Sequence, residues 1–311
     1  MKVDMHCHTT RSDGTSTPEE LIKVAKDRDI EMLFITDHDR DSADIVPLIQ
    51  AAWIATTPSV EISTTNIQGD NRSLHATYYT SQISDEISDI ITHTKSQKME
   101  LILAQLYYLE EKLFYIDIEE FYDFSTSKSG RSKDGINKYD LANYITSKDE
   151  NAQILQEILW EDISTLNFYK KCMKRDGELY HIYGKEIEEY EPAISDTAEI
   201  AKDQWVLSIA HPNFTFSREG IGWFMKLYEE VYRPFGIHAL EINAKASRKW
   251  VEAILWLKDK YKDGLQLTFW SDCHNIWIPD DKHEDLWVMN PYISDGLIER
   301  EMNVFREKMG M

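Results

Sequence analysis

The 311-residue chain predicts an α/β protein: a strand and helix repeat interrupted by a long, mostly helical insertion. Three observations carry the prediction. The first forty or so residues read strand, helix, strand, a βαβ unit. Residues 80–203 then show helical periodicity with few strand signals, and strand and helix signals alternate again from Trp205 to Ser271.

In order, Lys2 to His8 reads as a short strand. Thr17-Pro-Glu-Glu20 starts a helix running to about Arg28, with Thr17 as N-cap, Pro18 in the first turn and Glu20 closing a capping box. Glu31 to Thr36 is an apolar run of strand length that ends in Asp37-His38-Asp39. A weaker helix spans Ser42 to Trp53, followed by an extended segment ending at Glu61, a turn over Asn66 to Asn71 and a strand from Leu74 to Tyr79. In the insertion, helices are expected over Ile83 to His93, Met99 to Phe114, Lys138 to Ile145, Ile154 to Tyr169 and Ala193 to Lys202, with a loop at Ser125 to Ser132. Strands follow at Trp205 to Ala210, Ile237 to Ala244 and Leu265 to Ser271, with helices at Ile221 to Tyr232 and Ser247 to Tyr261. The expected domains are thus 1–79 with 204–311, and 80–203 as the insertion.

Composition narrows the function. With 34 basic and 55 acidic residues the net charge is −21, which argues against gripping a long nucleic-acid duplex. The insertion alone holds 26 of the acidic and 14 of the basic residues, a net −12. At 42% hydrophobic the chain can bury a substantial core. No stretch approaches the roughly 18–20 apolar residues of a membrane span, and the first residues lack the apolar run of a secretory signal, so a soluble, cytoplasmic protein is expected. Cys7, Cys172 and Cys273 are too scattered for a disulfide framework, so any metal must use histidine and carboxylate. Cys7 and Cys273, each flanked by candidate ligands, are expected to face the packing side.

Candidate ligands recur at strand ends. His6 and His8 stand two apart on the first strand, so its period of two sends both imidazoles to one face. Asp37-His38 follows the second strand, Glu61 ends the third extended segment and His75 lies on the next. His211 follows Trp205 to Ala210, and Asp272-Cys273-His274 closes the last strand. In a barrel of parallel strands the C-terminal ends converge on one face. Imidazole and carboxylate together suit Zn²⁺, Mn²⁺ or Fe²⁺ better than Mg²⁺ or Ca²⁺.

These runs, Asp4-Met-His6-Cys-His8 through Asp13-Gly14, Thr36-Asp37-His38-Asp39, Glu61-Ile-Ser, Leu74-His75, Ala210-His211-Pro212 and Ser271-Asp272-Cys-His274, resemble in type and order the PHP (polymerase and histidinol phosphatase) superfamily of metal-dependent phosphoesterases. The resemblance covers roughly residues 1–79 and 204–275. It implies a distorted (β/α)7 barrel holding two to three divalent metal ions. By its motifs, His6, His8, Glu61 and Asp272 would hold one ion, and Glu61 would bridge to a second held also by His75 and His211. Asp13, His38 and His274 would hold the third. The long insertion between His75 and His211 is similar to the subfamily acting on nucleotide 3′-phosphates and short oligoribonucleotides, whose insert Gly135 to Tyr144 resembles.

The reaction expected on this reading is hydrolysis of a phosphomonoester or terminal phosphodiester by a metal-activated hydroxide. The substrate would be a small phosphorylated compound, a nucleotide or short oligonucleotide. A small-metabolite phosphatase, such as one acting on histidinol phosphate, is the alternative enzyme, and a metal-stabilised interaction module the non-enzymatic one. Arg11, Arg218, Lys245, Arg248 and Lys249 are candidate phosphate contacts, each with a solvated helix end as its ordinary explanation. Asp37 is expected either to orient a ligand imidazole or to cap a helix. Trp205 and Trp270 are expected to pack behind the sheet. His238 and Glu241 are left without a role, and His93, His181 and His283 read as surface or insertion residues.

Overall fold

The computed structural model describes residues 1–67, 70–128, 133–160, 163–174, 177–179, 191–201, 205–276, 285–286 and 288–311. The turn expected near Asn66 to Asn71, part of the 125–132 loop, and His181 and His283 therefore touch or fall outside the described residues. The chain divides into two compact units, one of Met1–Thr9, Gly14–Ile91 and Glu191–Met311, the other of Thr10–Asp13 and Thr92–Tyr190.

The first unit opens with β1 (Val3–Cys7), α1 (Pro18–Asp27), β2 (Met32–Ile35), α2 (Val46–Ala51), β3 (Ser59–Ile67) and β4 (Asp70–Thr80). Next, α3 (Asp85–Glu111) begins in the first unit and ends in the second, where α4 (Ile118–Lys128), α5 (Lys138–Thr146), α6 (Ala152–Leu159) and α7 (Thr165–Phe168) follow. The first unit resumes with α8 (Ile194–Ile200), β5 (Trp205–Ile209), α9 (Pro212–Thr215), α10 (Ile221–Leu227), β6 (Ala239–Asn243), α11 (Arg248–Tyr261), β7 (Gln266–Trp270) and α12 (Asp295–Met309).

Helix α1 starts as its sequence requires. The Thr17 side chain accepts from the Glu20 N–H while the Glu20 carboxylate takes the Thr17 N–H, and Pro18 occupies the first turn, where its missing N–H costs nothing. Other helices depart from expectation. The two helices expected across 83–114 are one 27-residue helix, and Ser125–Lys128, expected in a loop, belongs to α4. The helix expected over 154–169 is broken at Trp160, whose φ of 64° lies in the left-handed region. Helix α12 carried no strong start signal beyond Ser294, whose hydroxyl accepts from the Leu297 N–H.

The α/β class holds, and among the described residues no sheet closes into the expected barrel. β1 and β2 pair in parallel as one sheet, and β3-β4-β5-β6-β7 form a second. Within the second sheet β3, β4 and β5 run antiparallel to their neighbours, whereas β5, β6 and β7 are parallel. Neither sheet closes on itself, and single bridges at Cys7–Cys273 and His38–Glu61 link them. The connection from Ile67 to Asp70 is far too short for the crossover that a parallel pair needs. The third and fourth strands therefore form a hairpin, with Glu61 opposite Thr77 and His75 opposite Ser63. So Glu61 lies near the start of β3 and His75 within β4, and neither stands at the C-terminal end of a parallel strand.

The main core of the first unit gathers Met5, Phe34, Ile62, Tyr79, Leu240, Phe269 and Phe305 between sheet and helices. Cys7 and Cys273 face a separate apolar cluster with Leu21, Leu33, Ile35 and Ile49, as expected, Cys7 by the alternation of β1. In the second unit Leu106, Phe114, Phe121, Leu141, Tyr144 and Phe168 form an independent core. Of the insertion's aromatic stretch, Tyr108 and Phe114 are buried, and Tyr107 and Tyr115 are exposed. A Cβ at Gly135 would stand 2.7 Å from the Arg11 carbonyl oxygen, so only glycine lets that turn lie against segment 10–13. Among the described residues no helix is long and apolar enough to cross a membrane.

Gly14 fills the same kind of need in the first unit, because a Cβ there would lie 2.5 Å from the backbone carbon and oxygen of His8 and 2.7 Å from the Thr9 nitrogen. Gly14→Ala is expected to destabilise the fold by about 1–3 kcal/mol through this backbone overlap, measured as a lower urea midpoint at unchanged slope.

Candidate metal centre

At the centre is Glu61, fully buried on β3 and surrounded by five imidazoles from four segments of the chain. Its Oε2 lies 3.1 Å from His6 Nε2, 3.2 Å from His8 Nε2 and 3.0 Å from His38 Nδ1. Its Oε1 lies 3.2 Å from His75 Nδ1 and 3.1 Å from His211 Nε2. Asp272 closes another side, with Oδ1 3.9 Å from His6 Nε2, 3.4 Å from His8 Nε2 and 3.3 Å from His274 Nδ1. The His8 and His274 rings stack at 4.2 Å, and His38 stands 4.6 Å from His8, centroid to centroid.

Burial disfavours charge on Glu61, but attraction to His6, His38 and His75 and the hydrogen bond from His211 outweigh it and hold the carboxyl well below the usual carboxylate range. Burial likewise disfavours charge on His6, and Glu61 and Glu241 outweigh it, raising His6 well above free imidazole. The cluster thus collects proton or cation charge around Glu61, whereas burial raises the Glu241 carboxyl above its ordinary range.

The geometry fits a cation. His6 Nε2 and His8 Nε2 are 3.0 Å apart, a distance at which two bare lone pairs repel unless a proton or ion lies between them. Glu61 Oε2 is buried with no hydrogen bond of acceptable geometry, although three ring nitrogens stand close by. Donors bound about 2.0–2.2 Å from a tetrahedral ion are roughly 3.3–3.6 Å apart, close to the 3.0–3.9 Å separations among His6, His8, Glu61 and Asp272. His38, Glu61 and His75 form another group whose ligand atoms all lie within 4.8 Å, and His8, His38 and His274 lie within the same limit of one another. Asp13 is in segment 10–13, which groups with the second unit.

Buried carboxylates fasten the ligand-bearing segments to one another. Asp4 accepts from the N–H and hydroxyl of Ser271 at 3.3 and 2.5 Å, tying the strand of His6 and His8 to the residue before Asp272. Asp37 accepts from the N–H and hydroxyl of Thr9, both at 2.7 Å, joining the neighbours of His38 and His8. Asp39 accepts from the N–H and hydroxyl of Ser63, both at 2.9 Å, joining His38 to the strand of Glu61. On β6, Glu241 is fully buried, with Oε2 2.9 Å from His6 Nδ1 and Oε1 accepting from the His211 N–H at 2.7 Å. Two candidate ligands, His211 at φ 33° and Asp272 at φ 56°, and the clamp residue Asp39 at φ 47° hold left-handed backbone that L side chains disfavour.

Sequence reasoning left Glu241 open and gave Asp4, Asp39, Ser63 and Ser271 no role. The available signal was an acid within the otherwise apolar strand Ala239–Ile242, since a buried charge needs a partner. Trp270 corrects a second expectation. It does not pack behind the sheet but stacks on His6 at 4.3 Å, with its centroid 5.7 Å from His211. The candidate phosphate contacts divide. Arg218 and Lys249 are exposed, Arg248 is exposed and pairs with Glu252 at 2.8 Å, Lys245 is half-buried, and Arg11 belongs to the second unit. His93 and His238 are exposed.

A family model for the PHP domain matches residues 4–211. The chain belongs to the PHP domain family. Over 77 residues it is 42% identical to 5′-3′ exoribonuclease Rnm of Escherichia coli strain K12, covering 23% of this chain and 25% of that protein. Over 78 residues it is 38% identical to a 5′-3′ exoribonuclease of Haemophilus influenzae, covering 24% and 27%. The match thus spans about a quarter of the length of these relatives. An amidohydrolase of Chromobacterium violaceum, solved with bound sulfate and no metal, superposes with a TM-score of 0.69 at 18% identity, over 98% of this chain and 96% of that one. A Bifidobacterium adolescentis protein described as a metal-dependent phosphoesterase superposes with a TM-score of 0.66 at 17% identity, over 97% and 95%. These two show that the PHP chain shares their fold along nearly its whole length.

Divalent cations are expected to raise the thermal midpoint of this PHP domain, by about 2.7 kcal/mol of added stability at a hundredfold excess over Kd. Glu61→Gln should abolish most of that rise, as read by differential scanning fluorimetry with Mn²⁺ or Zn²⁺ against a chelator.

Proposed function

We propose that this PHP domain is a hydrolase that cleaves phosphate esters at a multinuclear metal centre. The observation that carries the reading is Glu61, one buried carboxylate within 3.2 Å of five imidazole nitrogens, with Asp272 beside them. His6, His8, Glu61 and Asp272 would hold one ion, and Glu61 through its other oxygen, with His75 and His211, a second. His38 and His274 are the candidates for a third, and Asp13 joins them on the motif resemblance. When bound, divalent ions polarise phosphoryl oxygens and bring the pKa of water to near 7.

The chain's own part is to hold and to expose. The side chains of His6, His8 and Glu61 are at most 1% exposed and form a closed floor. Those of His38, His75, His211 and His274 are 22%, 28%, 16% and 17% exposed, so the centre opens on that rim, where a phosphate can enter without displacing the floor. His6, His8, His75 and His211 each present a ring nitrogen toward Glu61 and must be unprotonated there to act as ligands.

The substrate class we propose is a nucleotide or short oligonucleotide. Its support is the likeness to the two 5′-3′ exoribonucleases and a net charge of −21, which suits a small phosphorylated molecule drawn to a local cationic centre better than a long duplex.

Mn²⁺-reconstituted protein is expected to release phosphate or nucleotide from nucleoside 3′,5′-bisphosphates or short oligoribonucleotides, and His6→Ala to reduce turnover by at least 100-fold. Turnover confined to histidinol phosphate would replace the substrate class, and no turnover by metal-loaded protein would sink the enzyme reading.

A further inference from the structure

Among the described strands, β6 and the segment after it supply none of the candidate ligands, yet the strand's central residue reaches the floor of the centre. Glu241 touches two candidate ligands with different oxygens, Oε2 at 2.9 Å from His6 Nδ1 and Oε1 at 2.7 Å from the His211 backbone nitrogen. When ionised, the Glu241 carboxylate only accepts hydrogen bonds, and the contact then places the proton on His6 Nδ1. The Nε2 lone pair of the neutral ring then faces His8, Glu61 and Asp272, 3.0, 3.1 and 3.9 Å away. Trp270, stacked on the same ring at an interplanar angle of 24°, fixes its plane, while Glu241 fixes its rotation within that plane. The second oxygen secures His211 where the backbone is least self-supporting, at φ 33° and ψ 54°.

We propose that Glu241 is a positioning residue of the centre: it selects the His6 tautomer that offers Nε2 to an ion and, through the same carboxylate, holds the strained backbone of His211. The inference rests on the metal reading above. It differs from a purely structural role, which would require a filled and hydrogen-bonded site but no particular tautomer.

Glu241→Gln keeps shape and volume but can accept from the His211 N–H only by turning its amide NH₂ toward His6 Nδ1. That exchange drives the His6 proton to Nε2, where it blocks ligation. The expected result is a 10- to 100-fold weaker Mn²⁺ or Zn²⁺ affinity for the tightest site in a chelator competition, with the far-UV circular dichroism of the metal-free protein unchanged. A folded Glu241→Gln protein with wild-type affinity would overturn the proposal.

A second measurement needs no variant. In ¹⁵N-histidine-labelled wild-type protein loaded with Zn²⁺, the His6 ring should show a protonated Nδ1 and a metal-shifted Nε2. The opposite tautomer would overturn the proposal even if Glu241→Gln failed to fold. Wild-type protein that binds neither ion would instead bring down the metal reading itself, and this inference with it.

Discussion

The first unit is organised around one carboxylate. Among the described residues the charge of Glu61 is met by five imidazoles arriving from β1 and the residue after it, the segment after β2, β4 and the segment after β5. Rings whose nitrogens approach within 3.0 Å of one another would separate if nothing of opposite sign lay among them. The strands can converge at this point because the charge there is balanced, and the irregularities of the fold follow from it. The β3–β4 hairpin brings Glu61 and His75 into reach of each other, and the left-handed residues His211 and Asp272 turn the chain where the centre needs a side chain rather than where a helix or strand would continue.

The carboxylates next to this centre are satisfied in a particular way. Asp4, Asp37 and Asp39 each take an N–H and a hydroxyl from one serine or threonine. Such hydrogen bonds offset the cost of burying each carboxylate. Each clamp also spans a long sequence separation: Asp4 to Ser271, Asp37 to Thr9, Asp39 to Ser63. The precision of the cluster therefore comes from contacts made only when the whole unit is folded.

That dependence on long-range contacts separates what was legible in the sequence from what was not. The period of two that places His6 and His8 together, the polar residues after β2, β5 and β7, and the capping box of α1 are local signals, and the structure shows the corresponding local geometry. The direction of the third and fourth strands was not legible, because Glu61 and His75 carry no mark of strand polarity and the short connection after Ile67 lies in a segment with only a turn signal. Glu241 and Trp270 were missed for the same reason. Nothing near them in sequence announces that His6, more than 230 residues away, will lie against both. A single long helix, α3, replaced the two expected because no proline or glycine interrupts 85–111.

The alternation that buries Cys7 and Cys273 has a bearing on chemical selectivity. Each thiol sits between two candidate ligands, in His6-Cys7-His8 and Asp272-Cys273-His274, and each points into the apolar cluster, where Cys7 Sγ donates to the Phe34 carbonyl. A one-residue slip of β1 would exchange imidazole for thiolate, because neighbouring residues of an extended chain face opposite ways. Strand registry here is thus also a filter on Lewis-acid softness: the correct register offers borderline nitrogen and hard oxygen donors, and a misregistered chain would hand the same cavity to copper(I) or cadmium.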